Sequence, residues 1–228
     1  MTMPVGNLPV TRAARGNEAR ERGILFSGPM VRALLEGRKT QTRRSVKPQP
    51  VGEVYHRDDS PGIWYIDGET AHANPDAQRD WRCPYGVPGD TLWVRETWAA
   101  LKFTKDWETG YVDGWYADPK GTTVYRATGD WDQANFAWKP AIHMPRARSR
   151  LTLTLTDVRV QRVQDISEED AMAEGVTLDD REESRPARAA FLDLFYGINK
   201  RAPRDQNPWV WCLTFLPLPP ADGDTGER

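Results

Sequence analysis

The chain has 228 residues, 39% of them hydrophobic, and a formal net charge of -2 at pH 7. That is enough apolar material to bury a core, and we read it as one large domain carrying insertions rather than two small ones. The balanced charge excludes global steering onto nucleic acid or an anionic membrane, so any nucleic-acid contact has to be local.

The two cysteines, Cys83 and Cys212, have no metal-ligand spacing. Without a secretory signal they are expected as unpaired thiols in a cytoplasmic protein. No apolar run approaches the roughly 20 residues that cross a bilayer, so no membrane partner is expected.

Taken in order, residues 1–22 mix Pro, Gly, Arg, Glu and Ala without periodicity and are expected to be a disordered tail. A single domain is expected over 23–217, and residues 218–228 read as a second tail. Ile24-Leu25-Phe26-Ser27 reads as a short strand. After Gly28-Pro29, the residues Met30, Val31, Leu34 and Leu35 recur at helical spacing, and Gly37 falls where a helix cap belongs. From Thr40 the chain should run extended. Thr40, Thr42 and Arg44 then share one face and Gln41 and Arg43 the other, and Lys39 meets Thr42 only if it stays in the turn.

Residues 49–85 are rich in Pro, Gly and Asp and read as an insertion with at most a hairpin around Ile63–Ile66. Val87-Pro88-Gly89-Asp90 is a tight turn leading to a half-buried strand, Thr91 to Glu96, with Trp98 at its end. Residues 101–142 form a second, Trp-rich insertion with one clear strand, Thr122 to Arg126. Its aromatics either staple a long loop to the core or form a lid over a flat ring. Arg150 to Val163 has the alternation of a long antiparallel strand. Ser167 opens a short helix ended by Gly175. Glu174 sits in its last turn, where the helix dipole disfavours a carboxylate by a few tenths of a kcal/mol or more, so another interaction should compensate. A helix from Ala187 to Asn199 should present Ala190, Phe191, Leu194, Phe195 and Ile198 on its apolar side, before a closing strand, Trp209 to Leu216. Many strands and three short helices argue for an α+β fold, a small β-barrel decorated by helices.

The motif Gly37-Arg38-Lys39-Thr40-Gln41-Thr42-Arg43-Arg44, with Pro88-Gly89-Asp90-Thr91-Leu92-Trp93-Val94 and the stretch Asp165-Ile166-Ser167 through Gly175, resembles the ASCH family. That family has a PUA-like β-barrel fold, and this chain looks most like its larger, prophage-type members. The motif is similar to that of small bacterial N4-acetylcytidine amidohydrolases, which have no counterpart of residues 49–85 and 101–142. The resemblance implies hydrolysis of an N4-acylated cytosine nucleoside or base, with catalytic roles falling on Lys39, Thr42 and Glu174. Glu168 and Glu169 are the alternatives to the last of these.

Amide hydrolysis requires an activated nucleophile, a proton donor for the leaving amine and donors facing the oxyanion. The resemblance gives Thr42 the attack. Lys39 is the base if neutral, which means bringing an ammonium from pKa about 10.4 to near 7 at roughly 4 to 5 kcal/mol of destabilisation. Otherwise Glu174 is the base and Lys39 stabilises negative charge. Arg44 is expected either to hold the pyrimidine carbonyl or oxyanion or to pair with an acid such as Glu96. Phe26 and Trp98 are expected as walls for the base or as core. His56, His72 and His143 are scattered, so no metal and no cofactor are expected, and hydrolysis should survive a chelator. The competing reading is an RNA-binding module or ribonuclease of the same type, with Arg38, Arg43, Arg44, Arg146, Arg148 and Arg150 meeting phosphates.

Overall fold

The computed structural model describes residues 19–57, 62–66, 80–105, 112–116, 122–129, 137–176, 185–200 and 204–218. Strand β1 (Glu21–Leu25) begins earlier than Ile24, so residues 19–22 belong to the fold and not to a tail. Their anchor is the buried carboxylate of Asp90, which accepts from the backbone N of Arg20 (3.0 Å), from Arg22 Nη1 (3.0 Å) and from the backbone N of Val87 (3.2 Å). The turn motif therefore ties the chain's start into the sheet. Removing those acceptors in Asp90→Ala leaves donors unpaired, and stability measured by denaturant unfolding is expected to fall by about 2 kcal/mol. An unchanged midpoint would contradict that role. Residues 1–18 and 219–228 lie outside the described residues.

Helix α1 (Gly28–Leu35) starts with Pro29 in its first turn and ends at Gly37, whose φ of 72° is left-handed. Strand β2 (Gln41–Ser45) follows. The first insertion is more ordered than its composition suggests: β3 (Val54–His56), β4 (Ile63–Ile66) and β5 (Trp81–Arg82) form an antiparallel sheet. Trp64, Trp81 and Cys83 join the main core, and Trp64 meets Trp211 edge-on at 4.8 Å. Then come β6 (Thr91–Arg95), β7 (Trp98–Lys105), β8 (Val112–Tyr116) and β9 (Thr122–Tyr125). The last three form a sheet in the order β8-β7-β9, where the sequence suggests only the final strand.

Strand β10 (Thr152–Arg162), helix α2 (Glu168–Ala173), helix α3 (Ala187–Ile198) and strand β11 (Trp209–Pro217) complete the fold. The main sheet runs β1-β6-β10-β11-β2. A register shift between Leu155 and Asp157 inserts one residue into β10, so Leu153, Leu155 and then Val158 all reach the same core. That core includes Ile24, Phe26, Val31, Leu34, Leu92, Val94, Trp211, Leu213 and Phe215. A second cluster joins Val210 and Cys212 to Val163, Ile166 and Ala171 and to Phe191 and Phe195 of α3. On α3 only Ala187, Phe191 and Phe195 are buried; Leu194 and Ile198, expected on the apolar side, are exposed.

The architecture is mixed α+β, mostly strands with few helices. The closed barrel expected from the strand count is not observed: β1 and β2 are sheet edges, and no ladder joins them among the described residues. A side chain spans part of the gap instead, with Arg44 Nη2 donating to the Leu25 carbonyl at 2.6 Å. No helix among the described residues is long and apolar enough to cross a membrane.

Candidate active site

The basic motif and the end of α2 meet through backbone first. Lys39 N donates to the Ala33 carbonyl (3.0 Å), which ties Lys39 to the end of α1 just past the turn at residues 36–37, and Thr40 N donates to the Ala173 carbonyl (2.8 Å). Lys39 and Glu174 face each other as an antiparallel bridge. Gly175 makes the approach possible: its φ is +76°, and a Cβ there would lie 2.8 Å from Ala33 Cβ and 2.9 Å from Lys39 Cβ.

Lys39 is completely buried in its side chain and Glu174 nearly so, at 0% and 4% exposure. Lys39 Nζ donates to Glu174 Oε2 and to the Glu174 carbonyl, both at 2.8 Å. Glu174 Oε1 accepts from Arg43 Nη1 at 3.1 Å. These two cations supply the compensation that a carboxylate at the C-terminal end of α2 requires. Burial pushes the Lys39 amine below its ordinary pKa; Glu174 opposes this, and Arg44 and Arg43 reinforce it.

Alternation along β2 sorts its side chains as expected. Thr42 pairs with Leu213 and Arg44 with Trp211, on the main-core face, whereas Arg43 pairs with Cys212 on the face toward the helices. Thr42 is 2% exposed. Phe26 links the two flanking cations: Lys39 Nζ lies 5.7 Å and Arg44 Cζ 5.2 Å from its ring centre. Phe26 is itself core, packed edge-on to Phe215 at 6.4 Å. Lys39, Glu174, Arg44 and Phe26 therefore occupy one region, and Thr42 lies on the same strand face as Arg44.

Trp98 is not brought there; it packs with Ala100 and Met144 in a separate cluster. Arg44 does not pair with Glu96, which is held by Arg150 (Nε to Oε1, 2.9 Å). Arg43, expected to meet phosphates, is instead fully buried in its side chain. One residue escapes sequence reasoning. Tyr85 is a neighbour whose charge would oppose the downward push of burial on Arg44, and its own hydroxyl is pushed up by burial. Its position in Cys83-Pro84-Tyr85-Gly86, just ahead of the Pro88-Gly89-Asp90 turn, is the available signal.

Of the arginines expected to meet phosphates, Arg43 is buried and Arg44 half-buried, Arg38 pairs with Glu36, Arg146 with Glu21 and Arg150 with Glu96. Cys83 and Cys212 are free, buried thiols, each pushed up to about 12 by burial. His56 lies edge-on to Trp64 at 5.3 Å, His143 is exposed, and His72 lies outside the described residues. No group of three His, Cys, Asp or Glu side chains that could hold a metal ion occurs among the described residues. A cavity of about 440 Å³ between the end of β2 and the end of α3, lined by Ser45, Lys47, Ile198 and Lys200 among others, contains none of the candidate catalytic residues.

Compared with the models of known protein families, with curated proteins and with solved structures, the chain finds no match. The chemical argument rests on the site alone. It offers a desolvated amine of lowered basicity, a carboxylate shared between that amine and a guanidinium, and a threonine on the adjoining strand face.

Proposed function

We propose that the protein hydrolyses the N4-acyl amide of an acylated cytosine nucleoside or base, on an ASCH-type, PUA-like scaffold. Thr42 is the nucleophile, and Lys39 and Glu174 are its acid-base apparatus. The observation that supports this reading is the buried contact between Lys39 and Glu174, residues 135 positions apart in the chain. An amine placed in such surroundings for stability alone is a poor bargain, because desolvating both ions costs about as much as their attraction returns.

In this reaction the Thr42 oxygen adds to the acyl carbon while its proton passes to neutral Lys39. The ammonium so formed gives that proton to N4 as the C–N bond breaks, leaving an acyl-threonine and the free cytosine amine. Water then adds to the ester with Lys39 again as base, releasing the carboxylic acid and restoring Thr42. Both oxygens of Glu174 are already engaged, one by Lys39 Nζ and the other by Arg43 Nη1. That occupancy disfavours Glu174 as the base, and the burial that lowers the Lys39 pKa favours the neutral amine in that role. Arg44 is the candidate donor for the pyrimidine carbonyl or the oxyanion, and Phe26, beside both Lys39 and Arg44, is the candidate wall for the base.

Incubation with N4-acetylcytidine is expected to produce cytidine, followed by the ultraviolet change. Absence of turnover at every pH where the protein stays folded would reject the proposal. RNA retarded with a steep salt dependence, without turnover of the nucleoside, would instead point to an RNA-binding module.

A further inference from the structure

The face of β2 turned toward the helices carries a charged cluster that the hydrolytic steps leave unused. Arg43 donates from Nη1 to Glu174 Oε1 (3.1 Å) and Gln41 Oε1 (3.3 Å), and from Nη2 to Asp170 Oδ2 (2.6 Å). Gln161, with its amide turned oxygen-first, accepts from Arg43 Nε and Nη2 at 3.3 and 3.0 Å. Asp170 is shared in turn: Oδ2 accepts from Arg159 Nη2 (2.6 Å) and Oδ1 from Gln41 Nε2 (2.9 Å). The charges thus alternate from Lys39 through Glu174, Arg43 and Asp170 to Arg159, from the buried site to the half-buried surface.

We propose that Arg43 is a positioning residue for Lys39, acting through Glu174. By holding one carboxylate oxygen it sets the orientation of the group and takes up part of its charge, so that Lys39 is not locked into an exclusive ion pair. The claim about Lys39 stands on geometry; only its consequence for turnover rests on the hydrolytic reading.

Packing alone gives no reason for a guanidinium here. Arg43 lies over Phe191 at 5.7 Å and pairs across the strands with Cys212, in an apolar cluster that a hydrophobic side chain could fill without desolvating a charge. What the guanidinium adds is a rigid fork that meets two carboxylates at once. The charged groups around Lys39 are Glu174 from the end of α2 and Arg43 and Arg44 from β2, with Asp170 behind Arg43. Burial pushes the amine down and Glu174 pulls it up, with the two arginines reinforcing the downward push. Deleting Arg43 removes one repelling charge and returns the whole carboxylate to Lys39, and both changes favour the ammonium.

The test is a titration of Lys39 followed by NMR of carbon-labelled lysine. In Arg43→Met the Lys39 midpoint is expected to rise by about one pH unit or more. Asp170→Asn should move it down, because Arg43 then leans wholly on Glu174. Arg43→Lys, which keeps the charge but loses the fork, should fall between wild type and Arg43→Met. If hydrolysis occurs, the pH at half-maximal kcat should follow these shifts while KM changes little. An unmoved Lys39 midpoint in folded Arg43→Met overturns the proposal; if that variant does not fold, an unmoved or raised midpoint in Asp170→Asn does so. Opposed shifts in a protein without turnover uphold the positioning role and reject the hydrolytic reading.

Discussion

Lys39→Arg is expected to lower the turnover of N4-acetylcytidine by roughly 10²- to 10⁴-fold, the range that a positioned acid-base group supplies. A guanidinium keeps the positive charge and can still meet Glu174, so the substitution isolates the loss of a neutral form. In the wild-type protein the amine lies below the ordinary lysine value of 10.5 because it is buried. If the neutral amine takes the Thr42 proton, the rate rises with pH through the Lys39 midpoint. The arginine variant should lack that limb. Turnover and pH profile unchanged in Lys39→Arg would remove Lys39 from the proton path and leave it as a fixed positive charge. Thr42→Ala should abolish the same activity with the fold kept, whereas Thr42→Ser, which retains the hydroxyl, should keep part of it. The same burial has a consequence for stability. Between the lowered midpoint and 10.5 the unfolded chain binds more protons than the folded one, so the Lys39 contribution to stability grows with pH in that window.

Glu96→Ala is expected to destabilise the protein by about 2 to 3 kcal/mol, seen as a fall in Tm of roughly 5 to 10 °C for a chain of this size. The Glu96 side chain is 2% exposed, and it takes both arms of Arg150, Nε to Oε1 at 2.9 Å and Nη2 to Oε2 at 3.0 Å. Losing one partner of a fully buried pair costs about 3 to 5 kcal/mol. Arg150 is a quarter exposed and stacks on Tyr125 at 4.0 Å, so water and the ring can take over part of its solvation, which lowers the expected cost. Glu96→Gln should cost less. Differential scanning calorimetry decides this, and a Tm within a degree of wild type for Glu96→Ala would show that the pair contributes little. The Lys39 titration should be unaffected by either change, since Trp98, Ala100 and Met144, packed around this segment, form a cluster apart from the site.

Much of the main sheet is legible in the chain. The alternation of β6 and β10 has period two because one face of each is more deeply buried, β11 reads as a nearly continuous apolar run because both its faces are covered, and α1 shows its helical period, its proline at the start and its glycine after the end. The small sheet of β3, β4 and β5 is not legible. Its strands are two to four residues long, too short for a period to emerge, and Trp64 and Trp81 are placed by contact with the main core. Strand β8 is hidden for another reason: Asp113 and Gly114 sit in its middle, where turn chemistry masks strand character. On α3 the period predicts a wide apolar stripe, yet burial reaches only Ala187, Phe191 and Phe195, because a single sheet face covers the helix.

By itself the sequence determined the residue types of the candidate site and the alternation that puts Thr42 and Arg44 on the face opposite Arg43. Those are local matters, set by backbone geometry over a few residues. Only the tertiary structure decided that Glu174 rather than Glu168 or Glu169 reaches Lys39, that Arg43 is buried behind it, and that Trp98 lies elsewhere. A charged side chain carries no mark in the chain of whether it will be solvated or enclosed. That depends on which distant segments cover it, here the end of α2 and the aromatic face of α3.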